Sequence, residues 1–271
     1  MTTKIIIAMH KPYKTPEESV YLPLHVGAEG KDKIPGLTRD NTGENISSKN
    51  PMYCELTGLY WAWKNLDADA IGLVHYRRYF TVKDRSFQKK HANDLMACVL
   101  CSSEAETLME QYDIVVPAKR KYYIESLYSH YAHTLDAKQL DLAQQIIHQQ
   151  CPAYDAACKK VYASTWGYMF NMCIMRKEYL NAYCSWLFPI LAELEVAMQG
   201  ELAHMSAFEA RLFGRVSEIL FNVWLMHAQE EDTAPRVHEV ATMHMEPINW
   251  VKKGGAFLRA KFFGKKYGAS F

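Results

Sequence analysis

Three short, β-branched apolar runs constrain this chain more than anything else in it: Lys4 to Met9 (KIIIAM), Ile71 to Val74 within AIGLVH, and Tyr112 to Pro117 (YDIVVP). Each is short for a helix and is stopped by polar residues or proline, so each reads as a strand covered on both faces. Longer segments of helical period lie between and after them. Asn50-Pro51 is a helix start, with Asn as N-cap and Pro in the first turn, and MYCELTGLYWAWKN places Leu56, Leu59, Tyr60 and Trp63 on one inward face. Leu135 to Gln150 reads as helix and Gly167 to Met175 as strand. Lys177 to Gln199 reads as a helix perturbed at Pro189, and Glu209 to Gln229 as the clearest helix, striped by Leu212, Val216, Leu220, Val223, Trp224 and His227. Strands alternating with helices predict an α/β sandwich: a mostly parallel central sheet flanked by helices, plus a helical C-terminal part. Such sheets bind ligands beyond the carboxyl ends of their strands. His10, after the first strand, and the run HYRRYF, after the second, both emerge there.

The bulk numbers narrow the function classes. With 31 Lys and Arg against 30 Asp and Glu, the net charge is +1, which argues against a nucleic-acid partner. Seven cysteines are an odd number, and no secretory pattern opens the chain, so reduced thiols and a cytoplasmic location are expected. No run of 18 apolar residues is present to span a membrane. The final stretch differs from the rest. Residues 251–271 hold Lys252, Lys253, Arg259, Lys261, Lys265 and Lys266 with Phe257, Phe262, Phe263, Tyr267 and Phe271, and no acid. The expected layout is one domain over 1–250 and a basic-aromatic tail over 251–271. That tail either packs on its own domain or docks peripherally on anionic lipid of the inner membrane face.

Several side chains stand out for their chemistry. Arg77 and Arg78 end an apolar strand in two planar forks of donors, suited to a diphosphate or to acids of a neighbouring loop. Asp67-Ala68-Asp69 precedes that strand and reads as a turn. His10 and Lys11 follow the first strand, where the imidazole meets either a ligand or backbone. Asn45 shares a polar loop with Ser47 and Asn50, and is the most open of the three to a ligand. Glu55 sits in an otherwise apolar, aromatic helix and is placed to brace Arg77 or Arg78. His130, His133 and Asp136 share the segment SHYAHTLD, yet no further His or Cys lies at zinc spacing, so no metal site is predicted. Asn171, amid YMFNMCIM, needs hydrogen-bond partners, and Trp166 offers a face on which a sugar ring can stack. Glu218 lies off the stripe of its helix, and either pairs with Arg211 or Arg215, meets solvent, or faces a cleft.

NISSKNPMYCELTGLYWAWKN followed by IGLVHYRRYF resembles a bacterial family of capsular and exopolysaccharide biosynthesis proteins, glycosyltransferase-like and formerly classed as a domain of unknown function. The resemblance continues through KIIIAMHKPY, YLPLHVG, FNMCIMRKEYLNAYCSWLF and RLFGRVSEILFNVWL. It implies a GT-A-like nucleotide-sugar-binding fold that moves a hexose, galactose in pyranose or furanose form, from a UDP-sugar to a lipid-linked glycan. The pathway would be capsule, exopolysaccharide or O-antigen (lipopolysaccharide) synthesis. The alternative is a non-catalytic nucleotide-sugar-binding assembly protein of the same pathway. GT-A enzymes commonly follow their central strand with Asp-x-Asp, which holds a divalent metal on the donor diphosphate. Here His75-Tyr76-Arg77-Arg78 stands in that place. The resemblance therefore implies metal-independent donor binding by Arg77 and Arg78 with His10, Lys11, Asn45, His75 and Asn171. On the acceptor side it implies His130, His133 and Trp166. An inverting transfer needs a general base, assigned to Glu218 with Asp136 as second candidate.

Overall fold

The structure, a computed structural model, describes residues 1–247, so the expected tail at 251–271 lies outside the described residues. In chain order the elements are β1 (Thr3–Met9), β2 (Tyr21–His25), β3 (Thr38–Arg39), α1 (Asn50–Tyr53), α2 (Leu56–Asn65), β4 (Ala70–His75) and β5 (Arg78–Thr81). Then come α3 (Arg85–Lys90), α4 (Ser102–Gln111), β6 (Ile114–Pro117), β7 (Arg120–Lys121), α5 (Leu127–Thr134), α6 (Lys138–Gln150), α7 (Asp155–Ala163) and β8 (Trp166–Gly167). The last are β9 (Cys173–Arg176), α8 (Lys177–Leu202), α9 (Leu212–Ala228) and β10 (Val237–His244). The described chain divides into two compact units. The first holds Met1–Ala118, Phe170–Cys184 and Pro235–Glu246, the second Lys119–Met169 and Ser185–Ala234.

The first unit is built on an eight-stranded sheet in the order β3-β2-β1-β4-β5-β10-β6-β9, with a further pairing of β4 to β9. Here the expectation of a mostly parallel sheet is corrected. β3, β2, β1 and β4 run parallel, as do β6 and β10, but β4 is antiparallel to β5 and β9, and β9 to β6. The cause is local. β5 follows β4 after two residues, and a connection that short permits only antiparallel pairing. Neither Tyr76 nor Arg77 adopts positive φ, so the turn is not of the kind that keeps a hairpin's strands together, and the pair splays after one partnered position, His75 with Arg78. Splaying frees the rest of that edge for β9, which pairs with Ala70 to Leu73. Gly72 makes the approach possible: a Cβ there would come within 2.9 Å of the Cys173 carbonyl oxygen and the Ile174 side chain. Since β4-β5-β10-β6-β9 leads back to β4, this half of the sheet closes like a small barrel.

β1 is buried along its length, as its run of isoleucines requires, and Ile5, Ile7 and Met9 share a core with Val74, Tyr79, Phe80 and Ile174. Each such side chain contributes roughly 1.5–3 kcal/mol on leaving water. The single helix expected after Asn50 is broken: α1 ends at Tyr53, Cys54 takes φ 53, and α2 starts at Leu56. Asn50 does not cap. Its Nδ2 donates to the Cys54 carbonyl at 2.7 Å and to Thr57 Oγ1 at 3.2 Å, which holds the break closed. Consequently Leu56, Leu59, Trp61 and Ala62 face inward, while Tyr60 and Trp63 are only half-buried.

The second unit is helical apart from the two-stranded β7–β8 ribbon, with α6 and α7 packed on α9. The apolar stripe of α9 is wider than the sequence period indicates, because Phe213, Ile219, Phe221 and Leu225 are buried as well. α8 continues through Pro189 to Leu202. All seven cysteines are free thiols. Among the described residues no helix is long and apolar enough to cross a membrane.

Candidate functional site

The carboxyl ends of β1 and β4 bring three of the expected donor-side residues, His10, Lys11 and Arg77, together around one ring. Tyr76 is buried at the β4–β5 turn, and His10 meets it edge-on at 5.2 Å between ring centroids, as does Tyr13 at 5.0 Å. The Lys11 ammonium lies 5.7 Å from the same centroid and the Arg77 guanidinium 5.0 Å. An imidazole and two cations therefore gather about one tyrosine ring, where cation–π attraction offsets part of the repulsion between the cations. Arg77 also pairs with Glu246 at 3.1 Å, and Tyr13 donates to the same carboxylate at 3.4 Å. Arg77 is exposed and Arg78 is half-buried, its guanidinium 3.8 Å from the Phe170 ring centroid. The two arginines thus diverge, as the tight turn between them and β4 dictates.

Phe170 belongs to a strained corner. The strand expected over Gly167 to Met175 is interrupted there: Phe170 has φ 79 and Asn171 φ 53, and the ladder resumes only at Cys173. A left-handed backbone at phenylalanine costs on the order of 1–3 kcal/mol and persists only where surroundings fix it. Two bonds do so. His75 Nε2 donates to the Phe170 carbonyl at 2.7 Å, and Asn171 Nδ2 donates to Glu55 Oε1 at 2.7 Å. A carbonyl can only accept, so His75 holds its proton on Nε2. Burial keeps the pKa of His75 below its ordinary value, with Glu55 opposing the shift and Arg78 adding to it, so the ring is neutral at pH 7. Glu55 stands just after Cys54, the third strained residue of this corner. Its bond is to Asn171, a partner that the sequence reading had not given it.

A second polar centre in this unit was missed from sequence. Asp40 is fully buried and accepts from Gly27 N at 2.8 Å, Ala28 N at 2.9 Å, Ser47 Oγ at 2.5 Å and Thr57 Oγ1 at 2.7 Å. It ties the loop after β2 to α2. Asn45, expected on the donor, is engaged locally: its Nδ2 donates to the Gly43 carbonyl at 3.0 Å and its Oδ1 accepts from Ser47 N at 3.1 Å. Asp67 and Asp69 form the turn expected of them, Asp69 accepting from Thr2 N at 2.7 Å and Asp67 pairing with Lys177 at 3.1 Å. Both sit before β4, at the opposite end from the arginines, and so do not fit an Asp-x-Asp metal site.

The expected acceptor-side and catalytic residues all fall in the second unit. Trp166 lines a small cleft with Tyr168, Val161, Ser164, Asn222, Leu225, Met226 and Gln229. Asn222 fixes that wall, since its Oδ1 accepts from Tyr168 N at 2.7 Å and its Nδ2 donates back to the Tyr168 carbonyl at 2.9 Å. Glu218 is half-buried one turn earlier on the same face of α9, and its carbonyl accepts from Asn222 Nδ2 at 2.7 Å. His130 and His133 converge on a residue that sequence reasoning passed over, Glu125, which is only 4% exposed. His130 Nδ1 lies 3.1 Å and His133 Nδ1 2.5 Å from its two oxygens. Asp136 is separate from this group and serves the start of α6, accepting from Lys138 N at 3.1 Å. Among the described residues no three His, Cys, Asp or Glu side chains converge to hold a metal ion.

Comparison with known proteins now adds to this geometry. No curated protein matches the chain. Among solved structures it is similar to WbbM, described as a bifunctional glycosyltransferase in its apo form, with 31% identity and a TM-score of 0.79. The match covers 91% of this chain and 46% of that one, so this chain spans less than half of the WbbM length. Residues 4–230 match the family described as a domain of unknown function, DUF4422. With that match running through every strand of the sheet except β10, the chain belongs to the DUF4422 family.

Proposed function

We propose that this protein is a metal-independent glycosyltransferase of GT-A type, moving a hexose from a UDP-sugar to a lipid-linked oligosaccharide in capsule, exopolysaccharide or O-antigen synthesis. The observation that carries the reading is the cationic turn at the carboxyl end of β4, set against a strained corner at Phe170 and Asn171. The likeness to WbbM supports the transferase class. The parallel series β3-β2-β1-β4, extended by antiparallel β9, supports the GT-A comparison. In this reading Arg77 makes the main diphosphate contact, because it is exposed and exchanges only a surface pair with Glu246. Arg78 is held on Phe170 and adds its charge from a fixed position. His10 and Lys11 contact the nucleotide from the Tyr76 face. Asn171, held by Glu55, addresses the donor sugar.

The transfer breaks the bond between the anomeric carbon and the diphosphate oxygen and forms one to the acceptor oxygen. The acceptor hydroxyl proton goes to Glu218 in an inverting reaction, while Trp166 stacks on the acceptor sugar. Thermal shift with UDP-, GDP- and dTDP-sugars, each in EDTA and in Mn²⁺, tests the donor assignment, since ligands that bind the native state raise its melting temperature. Stabilisation by UDP-sugars, equal in both buffers, is expected. Stabilisation that requires Mn²⁺ would overturn metal independence. Donor binding with no hydrolysis or transfer would favour the nucleotide-sugar-binding assembly protein instead.

A further inference from the structure

Apart from Lys119, which lies over the Trp166 ring, the segment Lys119-Arg120-Lys121-Tyr122-Tyr123-Ile124 has no part in the proposed transfer. Tyr123 and Ile124 are 81% and 57% exposed, whereas the other strongly exposed large apolar residues described, Met1, Val82 and Val196, stand singly. Here an aromatic and an aliphatic side chain stand side by side in water as one small apolar patch. It is not a frayed end. Tyr122 N donates to the Thr165 carbonyl at 2.8 Å and Leu127 N to the Ser164 carbonyl at 2.7 Å, so both feet of the loop are tied to one segment. Tyr122 is buried beneath the tip, and Glu125 is held by His130 and His133 on the far side. Tyr123 itself takes φ 57, a left-handed conformation that tyrosine rarely adopts. The fold thus spends strain to project these two side chains.

The charges beside the tip point to what receives it. Arg120 and Lys121 are exposed, and Lys119 lies over the Trp166 ring at 4.2 Å. From Lys119 to His133 the only carboxylate is Glu125, which is buried and taken by the two histidines. Cations in a short row beside a tyrosine and an isoleucine match an anionic lipid surface: phosphates for the cations, the headgroup boundary for the phenol, acyl chain for the isoleucine. A sugar would have no use for the isoleucine. We propose that the loop of residues 119–124 is a membrane-docking tip that inserts Tyr123 and Ile124 into an anionic bilayer surface. It is a site separate from the basic-aromatic tail, and it does not depend on the transferase reading.

The test uses the full chain with vesicles of phosphatidylcholine alone or with phosphatidylglycerol added. Tyr123→Ser with Ile124→Ser should weaken binding to the anionic vesicles roughly tenfold or more. Arg120→Gln and Lys121→Gln should each weaken it about fivefold, less so in high salt. Whatever the residues beyond 247 contribute is common to all these chains, so the differences isolate the loop. Amide exchange localises it: slowed exchange at 119–126 on anionic vesicles is expected, with unchanged circular dichroism in the variants. Undiminished binding by the Tyr123/Ile124 double variant would overturn the proposal. So would equal binding to phosphatidylcholine alone, or protection confined to other segments.

Discussion

His75 and Phe170 stand 95 positions apart in the chain and meet in one bond, from Nε2 to the Phe170 carbonyl at 2.7 Å. That bond joins the end of β4 to the strained turn before β9. The side chain of the same Phe170 carries the Arg78 guanidinium. One neutral imidazole therefore sets the backbone on which a cation of the proposed donor site rests.

Acid should loosen this corner. The pKa of His75 lies below 6.5 in the fold, chiefly through burial, so the folded state binds the proton less readily than the unfolded chain. A depressed value means that the stabilisation is complete above about 6.5 and is lost as pH falls through the folded value. His25 and His130 shift the same way, also chiefly through burial. His75→Gln keeps a donor for Phe170 but cannot titrate. It should flatten the acid loss of stability by at most roughly 1.4 kcal/mol per pH unit. Urea titrations between pH 7 and pH 5 check this, and superimposable slopes would remove His75 from the account.

The two arginines should separate on substitution. Arg77→Ala should lower UDP affinity by a charge-assisted contact of roughly 1.5–3 kcal/mol with little change in melting temperature, because a surface pair such as Arg77–Glu246 contributes under about 1 kcal/mol. Arg78→Ala should weaken UDP binding and lower the melting temperature as well, through loss of its contact with Phe170. Titration calorimetry alongside thermal melts makes the comparison. Wild-type UDP affinity in Arg77→Ala would transfer the diphosphate contact elsewhere.

Much of the first unit was legible in the sequence because its signals are local. Isoleucine runs announce β1 and β4, and the ring-and-cation cluster at their ends follows from HYRRYF and from His10-Lys11. Non-local pairing was not legible. β10 was missed because VHEVATMH mixes polar and apolar residues without a clean period of two and lies half-exposed, so it shows neither the buried nor the half-buried strand signature. The sheet's mixed direction came from a turn whose length is visible, but the strand that fills the edge it leaves, β9, lies about a hundred residues later. Asp40 and Glu125 went unnoticed for a similar reason: a lone carboxylate looks solvated in sequence, and its partners arrive only with folding. The break at Cys54 had no signal, since neither glycine nor proline marks it.

Asp40 should prove a stability residue rather than a chemical one. Asp40→Ala leaves two buried backbone N–H groups and the Ser47 hydroxyl without their acceptor, while Thr57 keeps the Cys54 carbonyl, and each orphaned donor costs roughly 1–3 kcal/mol. A loss of at least about 3 kcal/mol is expected in denaturant unfolding. Asp40→Asn should recover only part of it, since its amide nitrogen cannot accept. Near-wild-type stability in both variants would show that water replaces these bonds.

Glu218 and Asp136 should differ sharply. Glu218→Gln cannot take the acceptor proton, so turnover should fall on the order of 10²–10⁴-fold with donor affinity nearly intact. Asp136→Asn keeps an oxygen for Lys138 N and should leave turnover close to wild type. Single-turnover transfer measured with both variants decides between them. Normal turnover in Glu218→Gln would remove it as the base.

The bond between Asn171 and Glu55 should be worth more than its length suggests, because it offsets backbone strain. Asparagine tolerates φ 53 better than other side chains, and its Nδ2 donates to Glu55 Oε1 at 2.7 Å. Asn171→Asp keeps the shape but removes that donor and sets a second carboxylate against Glu55. It should therefore destabilise more than Asn171→Gly, which fits the backbone without strain and adds no charge. A double-mutant cycle with Glu55→Gln isolates the pair: coupling of roughly 1–3 kcal/mol is expected between Asn171→Asp and Glu55→Gln, as the second change removes the repulsion created by the first. The same cycle read out as UDP-sugar affinity should show the aspartate's loss partly rescued by Glu55→Gln. Strict additivity in both readouts would mean that Glu55 and Asn171 hold their places independently, and that their bond does not fix the corner at Phe170.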